Sequence, residues 1–479
     1  MKKLLYLSLT VVLLGSCNNW LDVQPYDRVA EDVAFGSAKG FENALNGVYI
    51  EMNQNSLYGA YLSCEMLELM AQRYNVNTST TYYHDLVKHK YLEDMSRTRF
   101  ASTWEKAYNL IANLNKLLEN CETRRDVLGD EFYQLIKGEA LALRAFLHFD
   151  IFRLFGPLYD ASDNVTQLPY YKKFSLNERP RFYAKEFMDN VIEDLHEAAE
   201  LLKDDPVRTG GAWQTNTYTF TSYRKLRMNW YAVQLLLARA ELYRDNKPDA
   251  LIAARNVIDA QEEWFPWVRR QHISSVKEDA DRIFFDEIVF ALRNTRTSML
   301  YTSYFNGNTL NSEKLLAPLN SQVLKIFENN RDDYRYVAFF SSSVKIDDAT
   351  YSLFEKYKET KDSLSSNLLP MLRISEAYYI AAECEPDPEE GMQWLNQVLS
   401  NRGIGEITDN SLLGKTLENE YIREFWGEGQ LFYYYKRLKY TEIKDSDDPE
   451  WSSTISMNAT NYQPQVPESE SKYNDIYND

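Results

Sequence analysis

The chain is poor in cysteine, and this scarcity limits the chemistry that it can support. It has four cysteines in 479 residues, and Cys17 stands at the end of an apolar leader. The other three, Cys64, Cys121 and Cys384, fall inside helical patterns without the spacing of metal ligands. A sparse, odd set cannot form a disulfide framework. We therefore expect three buried side chains that act as small apolar residues.

The sequence also lacks an excess of basic residues, because its formal net charge is −18. This charge argues against nucleic acid as a partner and against docking on anionic lipid through a basic patch. No stretch is rich enough in Gly, Pro or Ser to separate domains. We expect one mature globular unit with a helical-repeat half, residues 17–261, and a more irregular half, residues 262–479.

Recognisable catalytic motifs are missing as well. There is no His-Glu-x-x-His and no Gly-x-Ser-x-Gly. Gly414-Lys415-Thr416 resembles the end of a P-loop, but Asp409 occupies the position of the first P-loop glycine. Asp445 to Trp451 lacks the glycine and final glutamate of an EF-hand, which favours a solvated charge run over a calcium loop. The chain is therefore expected to bind no metal or cofactor. A carboxylate pair that hydrolyses glycosides is still possible, since distance in the fold defines it.

No apolar run is long enough for a permanent membrane span. Leu4 to Leu14 follows Met1-Lys2-Lys3 and is shorter than the roughly 20 residues that a spanning helix needs. Residues 1–16 are therefore predicted to be a signal peptide. Leu14-Gly15-Ser16-Cys17 resembles the bacterial lipobox, which predicts that Cys17 becomes a lipidated N-terminus and tethers the protein to a membrane.

One long helix dominates what the sequence does contain. Between Glu131 and Leu158, apolar residues recur in two opposite stripes, which predicts a helix covered on both faces. Gly138 lacks a side chain, so a neighbouring backbone can approach closely there. Two narrow polar strips are expected to meet water at the helix edges, and they consist of Lys137, Arg144 and His148, and of Glu139, Asp150 and Arg153.

Helical hairpins recur along the chain and predict the fold class. Two have proline near the start of the second helix: Trp230 to Tyr243 with Ala250 to Ile258, and Ile374 to Glu383 with Met392 to Leu399. Two further pairs are the opening helix from Ala38 with Arg97 to Asn120, and Ala184 to Leu202 with Tyr223 to Arg244. We predict a mainly α protein, an α-solenoid of about four degenerate tetratricopeptide-like hairpins with an irregular, loop-rich second half. In that half we expect a strand at Glu287 to Leu292 and a hairpin of Tyr334 to Phe340 with Tyr351 to Tyr357.

Several separate motifs resemble the SusD/RagB family of lipoproteins. They are Leu21 to Pro25, Ala44 to Tyr49, Gly138 to Pro157, Val191 to Ala198, Met371 to Ala377, Leu395-Asn396 with Arg402-Gly403, Arg423 to Gly429 and Val466 to Glu470. The resemblance spans nearly the whole chain and also implies four hairpins. The sequence departs from the family at Gln430 and Phe432 to Tyr434, where the family usually has an arginine and then Phe-Asp. An ion pair common in the family is therefore expected to be missing.

The resemblance implies a surface-exposed outer-membrane lipoprotein that binds nutrient oligomers, most often glycans. It also implies a SusC-like TonB-dependent transporter as partner, which the protein would cap as a lid. Two alternatives belong to other classes: a lipoprotein enzyme that acts on polysaccharide, and a scaffold or peptide-binding lipoprotein. Release of reducing sugar would favour the enzyme, and glycan binding without cleavage would favour the binder.

Two polar, aromatic loops are the predicted ligand site. One is Gln72 to Arg99, with Tyr74, Tyr82, Tyr83, His84, Tyr91, Arg97 and Arg99, and the other is Asn294 to Asn308, with Arg296, Tyr301, Tyr304, Phe305 and Asn306. Long loops of this kind are more often functional than ornamental. Aromatic rings can stack on the apolar faces of sugars, and Arg and Asn donate hydrogen bonds to hydroxyls. The alternative is that these tyrosines pack the loops themselves or contact the transporter.

Overall fold

The computed structural model describes residues 31–76, 83–163, 165–175, 180–213, 220–273 and 278–470. The leader, Cys17 and Tyr82 lie outside the described residues. Helices dominate, and the strands are few and short, so the prediction of a mainly α fold is confirmed. Within the described residues, no helix combines the length and apolar character needed to cross a membrane.

The helices of the first half pack side by side along the chain. They are α1 (Ala38–Glu51), α2 (Met66–Met70), α3 (His84–Val87), α4 (Asp94–Thr123), α5 (Arg125–Phe155), α6 (Ala184–Leu201), α7 (Val207–Gly210), α8 (Trp230–Tyr243), α9 (Lys247–Ile258) and α10 (Gln261–Trp264). Helix α4 lies mainly against α5, α5 against α6, and α8 against α9. The opening helix α1 rests on both α4 and α5, so the partner predicted for it is shared.

The second half has shorter elements. Its helices are α11 (Thr297–Leu300), α12 (Asn320–Ile326), α13 (Tyr334–Phe339), α14 (Ile374–Cys384), α15 (Pro388–Ser400), α16 (Leu413–Glu424), α17 (Leu431–Arg437) and α18 (Ala459–Tyr462), with a π-helical turn at Tyr301–Phe305. Helix α14 packs on α9 and on α15, so the hairpins of the two halves form one stack. One large cluster of buried apolar side chains runs through both halves and includes the three described cysteines, as predicted.

The strands form four two-stranded antiparallel pairs within the described residues. They are β1 (Leu168–Pro169) with β2 (Arg181–Phe182), β3 (Ile288–Arg293) with β6 (Leu368–Arg373), β4 (Ser342–Ile346) with β5 (Ala349–Leu353), and β7 (Glu442–Lys444) with β8 (Thr454–Ser456). The predicted strand at Glu287 to Leu292 is confirmed as β3. The first arm of the predicted hairpin, Tyr334 to Phe340, is wrong, because Asp333 caps a helix there by accepting a hydrogen bond from the Arg335 amide. Tyr351 to Leu353 of the second arm does lie in a strand, β5, which pairs with β4 instead.

Helix α5 is more deeply buried than the sequence suggests. A Cβ added at Gly138 would lie 2.7 Å from Leu202 Cγ, so a neighbouring segment does approach closely there, although through leucine side chains and not through its backbone as predicted. The exposed polar strips are wrong, however, because Glu139, Arg144, His148, Asp150 and Arg153 are all buried. Each finds a partner far away in the sequence: Arg144 donates to Asp194, and Glu139 accepts from Arg224 at 2.6 Å. These charges join helices instead of meeting water.

The structure gives the contacts at two further positions that the sequence singled out. Gln430, where the family usually has arginine, accepts a hydrogen bond from Arg153 Nη1 at 2.9 Å, and the Arg153 guanidinium lies over the Tyr433 ring. The segment Asp445 to Trp451 is anchored and not merely solvated. Asp448 accepts from the amides of Ser452 and Ser453, and buried Ser446 donates to Gln72. No group of metal-ligating side chains is placed to hold an ion in the described part of the chain.

The irregular half is held together by an arginine network. We define it as Arg335, Arg373 and Arg402 with the carboxylates that they share, Glu287, Glu420 and Glu424. These six side chains are almost completely buried. Because β3, α13, β6 and α16 are short, the network supplies cross-links that regular hydrogen bonding does not provide there.

Candidate ligand-binding site

The two predicted loops lie next to each other in the folded chain. The Asn75 amide donates to the carbonyl of Ala317 at 3.1 Å, and the Leu316 amide donates to the carbonyl of Tyr304 at 2.7 Å. Tyr74 is fully buried behind this junction, where its ring lies 6.1 Å from that of Phe305 and its hydroxyl donates to the Cys64 carbonyl. Tyr74 therefore supports the loops from within and does not face solvent.

A buried ion pair forms the floor of the junction. Glu65 precedes α2, and Arg99 lies in the second turn of α4. Arg99 donates to one oxygen of Glu65 from Nε at 3.0 Å and from Nη2 at 2.8 Å. Burial raises the pKa of the Glu65 carboxyl above its ordinary value, although the charge of Arg99 acts in the opposite direction.

Three tyrosines surround this ion pair, and we call Tyr61, Tyr83 and Tyr304 the aromatic cluster. The Arg99 guanidinium carbon lies 5.6 Å from the ring centre of Tyr61 and 6.0 Å from that of Tyr83. Burial raises the pKa of Tyr304, and the nearby charge of Glu65 raises it further. Tyr61 and Tyr304 are partly exposed, whereas Tyr83 is buried at the edge of the segment 77–82.

The hydroxyls of the aromatic cluster are hydrogen-bond donors without an assigned acceptor. Within the described residues, none of the three hydroxyls makes a hydrogen bond to a protein group. The pKa of each is raised by burial and by Glu65, so all three stay protonated at neutral pH. Such groups can bind a ligand through ring faces and hydroxyls, but they cannot act as general bases at that pH.

The other predicted site residues lie at different places. Arg97 is half exposed on α4, pairs with Asp94 and Glu468, and lines a groove of about 730 Å³ against residues 465–469. His84 opens α3, and Arg296 is exposed where its charge acts on Glu51. Tyr301 is buried, and the charges of Glu355 and Arg282 act on its hydroxyl. Asn306 accepts a hydrogen bond from the Asn308 amide and shapes its own turn.

Two members of the site are missing from the predicted set. Tyr61 and Glu65 lie before the first candidate loop, in the segment YLSCEMLELM. Glu65 and Glu68 are acids within an otherwise apolar run, and such acids usually need a buried partner. This signal could have identified Glu65, but its partner Arg99 could not be assigned from sequence. Of the predicted residues, the structure brings Tyr83 and Tyr304 together.

Comparison with known proteins places these features in a family. A model described as starch-binding associating with outer membrane matches residues 19–221, and the SusD family model matches residues 295–477. SusD-like protein P38 of Formosa agariphila is 22% identical over 464 residues, which cover 86% of this chain and 85% of that protein.

Solved structures show the same fold. A SusD superfamily protein from Bacteroides thetaiotaomicron has a TM-score of 0.69 at 20% identity, covering 92% of this chain and 98% of that one. A laminarin-binding SusD-like protein has a TM-score of 0.62 at 14% identity, covering 91% and 97%. At these identities the likeness concerns the fold alone. The two family models match both halves, and together with the relative and the shared fold they show that the chain belongs to the SusD/RagB family.

Proposed function

We propose that the protein is a cell-surface lipoprotein that captures oligosaccharides at the aromatic cluster and passes them to a SusC-like TonB-dependent transporter. The observation that carries the proposal is the position of Tyr61 and Tyr83 beside the Arg99 guanidinium, with Tyr304, from a second loop, close enough for the charge of Glu65 to act on its hydroxyl. Rings offer apolar faces for sugar rings, and free hydroxyls offer directed hydrogen bonds. One related protein of the same fold is described as laminarin-binding, which supports a glycan as ligand.

Binding without cleavage is the proposed mechanism. Tyrosines whose pKa is raised by burial cannot take a proton from water at neutral pH, and Glu65 is engaged by Arg99. A glycosidase needs two carboxyl groups about 5 to 10 Å apart across the bond to be cleaved. Two carboxyl groups lie near the aromatic cluster, Glu65 and Glu68, but both are buried and pair with Arg99 and Arg73, so neither is placed to reach a glycosidic bond at the surface. We expect an oligosaccharide incubated with the purified protein to keep its length, and steady release of reducing sugar would contradict the proposal.

The test of the site compares ring deletions. Isothermal titration with a panel of neutral oligosaccharides, including β-glucans and starch fragments, should identify a ligand for the Cys17→Ala protein. Tyr61→Ala and Tyr304→Ala should each weaken its binding by about 5-fold or more, because a stacking ring contributes roughly 1 kcal/mol. The matched control is Tyr336→Ala, a half-buried tyrosine on α13 that packs on Phe327. Equal affinity in all three variants would remove the cluster from consideration.

Membrane anchoring and the transporter need separate tests. Cys17 lies outside the described residues, so anchoring is supported by the lipobox-like Leu14 to Cys17 and by the family description. The Cys17→Ala protein should be released from the outer membrane in cells that lack the transporter. Co-purification of the lipidated protein with a TonB-dependent transporter would support its role as a lid. Persistent membrane attachment of Cys17→Ala in such cells would contradict the lipid anchor.

A further inference from the structure

Arg282 is a buried arginine without a protein partner. Its side chain is only 5% exposed, and its Nε and Nη1 atoms are buried without a hydrogen-bond acceptor. Within the described part of the chain, its guanidinium makes no hydrogen bond or ion pair. Burial lowers the pKa of Arg282, which reflects this incomplete compensation. Buried charges in proteins are normally paired, and an unpaired one is costly.

A small polar cavity lies against this guanidinium. It has a volume of about 130 Å³ and is lined by Arg282, Thr297, Ser298, Lys358, Thr360 and Ser365, among others. The Ser365 hydroxyl is also buried without a hydrogen-bond partner. The cavity has room for one carboxylate or sulfate group.

The walls of the cavity are fixed by hydrogen bonds. Thr360 donates to the Ala280 carbonyl at 3.0 Å, and the Lys361 amide donates to the Glu278 carbonyl at 2.8 Å. The Asn294 amide donates to the Asn367 carbonyl at 2.8 Å, which joins the second candidate loop to the same wall. The cavity is thus held by three chain segments and does not depend on one mobile loop.

The nearby carboxylates are already engaged. Glu355, whose charge acts on Arg282, accepts hydrogen bonds from Lys358 and from Ser341, both at 2.6 Å. Asp281 accepts from the amides of Ile283 and Phe285, and burial raises its pKa to about 7. Asp362 accepts from the amides of Leu364 and Ser365, and Glu359 is exposed at the rim. None of them neutralises the guanidinium directly.

We propose that this cavity binds an oxyanion, a carboxylate or sulfate group, that accepts hydrogen bonds from Arg282 and Ser365, with Lys358 at the entrance. The source is either a small free anion or an acidic substituent on the captured oligomer. The second source rests on the proposed function. It is supported by the π-helical turn Tyr301–Phe305, which carries Tyr304 and also Tyr301, whose hydroxyl is close enough to Arg282 for the arginine charge to act on it. If the anion is a substituent on the captured oligomer, the preferred ligands are oligosaccharides with uronic acid or sulfate ester groups.

The first test uses inorganic sulfate and acetate on the Cys17→Ala protein. Thermal unfolding is followed at constant ionic strength, with sodium chloride replaced stepwise by either salt. Sulfate stabilises proteins generally, so the informative quantity is the difference between proteins. The melting temperature should rise more for the parent protein than for Arg282→Gln, and Arg331→Gln, an exposed arginine, should respond as the parent does. An equal response in all three would overturn the proposal.

Two further results keep the test decisive. In buffer without oxyanions, Arg282→Gln should melt no lower than the parent, because it removes an uncompensated buried charge. A clearly lower melting temperature would mean that Arg282 is structural and would overturn the proposal. If Arg282→Gln does not fold, the same measurement is made on Ser365→Ala. A rise in melting temperature with sulfate that is at least halved supports the site, and an unchanged rise overturns the proposal.

Matched oligosaccharides distinguish the two sources. If the anion is a substituent, Arg282→Gln should lose about 10-fold in affinity for a uronate-bearing or sulfated oligomer and keep its affinity for the neutral counterpart. If the anion is free, both affinities should be unchanged while the sulfate response is lost. A protein that binds no oligosaccharide at all but responds to sulfate through Arg282 would refute the proposed function and leave this inference standing.

Discussion

Two of the regions in which carboxylates are buried differ in the number of cations around each carboxylate. In the arginine network, Glu424 contacts Arg335, Arg373 and Arg402. Beside the aromatic cluster, Glu65 and Glu68 each form one ion pair within the described residues, with Arg99 and Arg73 respectively. The pKa of Glu424 is lowered well below its ordinary value by its arginines, whereas burial raises those of Glu65 and Glu68.

This difference separates a scaffold from a surface suited to binding. In the arginine network, each buried charge is paired with charges from other segments, and these pairs hold the segments together. The region around α2 has buried acids with one ion pair each and tyrosine hydroxyls that have no hydrogen-bond acceptor among the described residues, which is less favourable for folding. Proteins commonly depart from optimal local structure at functional sites. The four predictions below test whether the two regions differ in this way.

The largest expected effect is in the network. Glu424→Gln leaves three buried arginines without their shared charge, so the free energy of unfolding should fall by about 3–5 kcal/mol at pH 7. Urea unfolding followed by tryptophan fluorescence measures it. The control is Glu278→Gln, which removes an acid from an exposed pair with Lys361 and should change little. A loss no larger than that of the control would contradict the scaffold role.

The corresponding substitution beside the aromatic cluster should lower the free energy of unfolding by less. Arg99→Gln leaves Glu65 buried without its cation, and we expect a loss of about 2–3 kcal/mol at pH 7. The loss should shrink at pH 5, because a carboxyl group whose pKa is already raised can take up a proton there. Arg97→Gln, the same substitution two residues earlier at an exposed position, should leave stability unchanged. A pH-independent loss would show that Arg99 acts through packing instead.

Glu68 and Glu424 should respond to pH with opposite signs. The pKa of Glu68 is raised to about 7 in the folded protein, so its contribution to stability should increase as pH falls from about 7 towards 4.5. The pKa of Glu424 is lowered, so its contribution is present above about 4.5 and is lost as pH falls further. Relative to the parent protein, Glu68→Gln should therefore be about 1–2 kcal/mol less stable at pH 5 than it is at pH 8. A constant difference across that range would mean that Glu68 stays ionised.

The sequence predicts the regular parts of this fold and misses the contacts between distant residues. Helix α5 and strand β3 are predictable from local periodicity, and the structure confirms both. The exposed edges of α5 are wrong because partners such as Asp194 and Arg224 are distant in sequence and leave no local signal. The first arm of the hairpin, from Tyr334, fails for two reasons: Asp333 is a local helix cap that the prediction overlooked, and Arg335 is held by Glu420 from the distant α16.

The candidate site divides in the same way. Loop length and composition identify both segments, and the structure places Tyr83 and Tyr304 near one ion pair. Their meeting depends on the Asn75 and Leu316 backbone contacts, which no spacing in the sequence encodes. Arg97, Tyr301 and Asn306 share the same loops but face other surroundings, because successive side chains of a turn point in different directions.

The smallest expected effect concerns a single hydroxyl. Tyr304→Phe keeps the ring and removes only the oxygen, which has no hydrogen-bond acceptor among the described residues. Stability should therefore change by less than about 0.5 kcal/mol, since no existing hydrogen bond is lost. If a glycan hydroxyl accepts from Tyr304, its affinity should fall by about 3- to 10-fold, which corresponds to one hydrogen bond of roughly 0.5–1.5 kcal/mol. Calorimetric titration of the parent and the variant with the same neutral oligosaccharide measures this difference.

The loss of affinity in Tyr304→Phe should be smaller than that in Tyr304→Ala, which also removes the stacking face. Equal losses would assign the interaction to the ring alone, and a destabilised Tyr304→Phe would show that the hydroxyl belongs to the scaffold, which would remove the contrast between the two regions at this position.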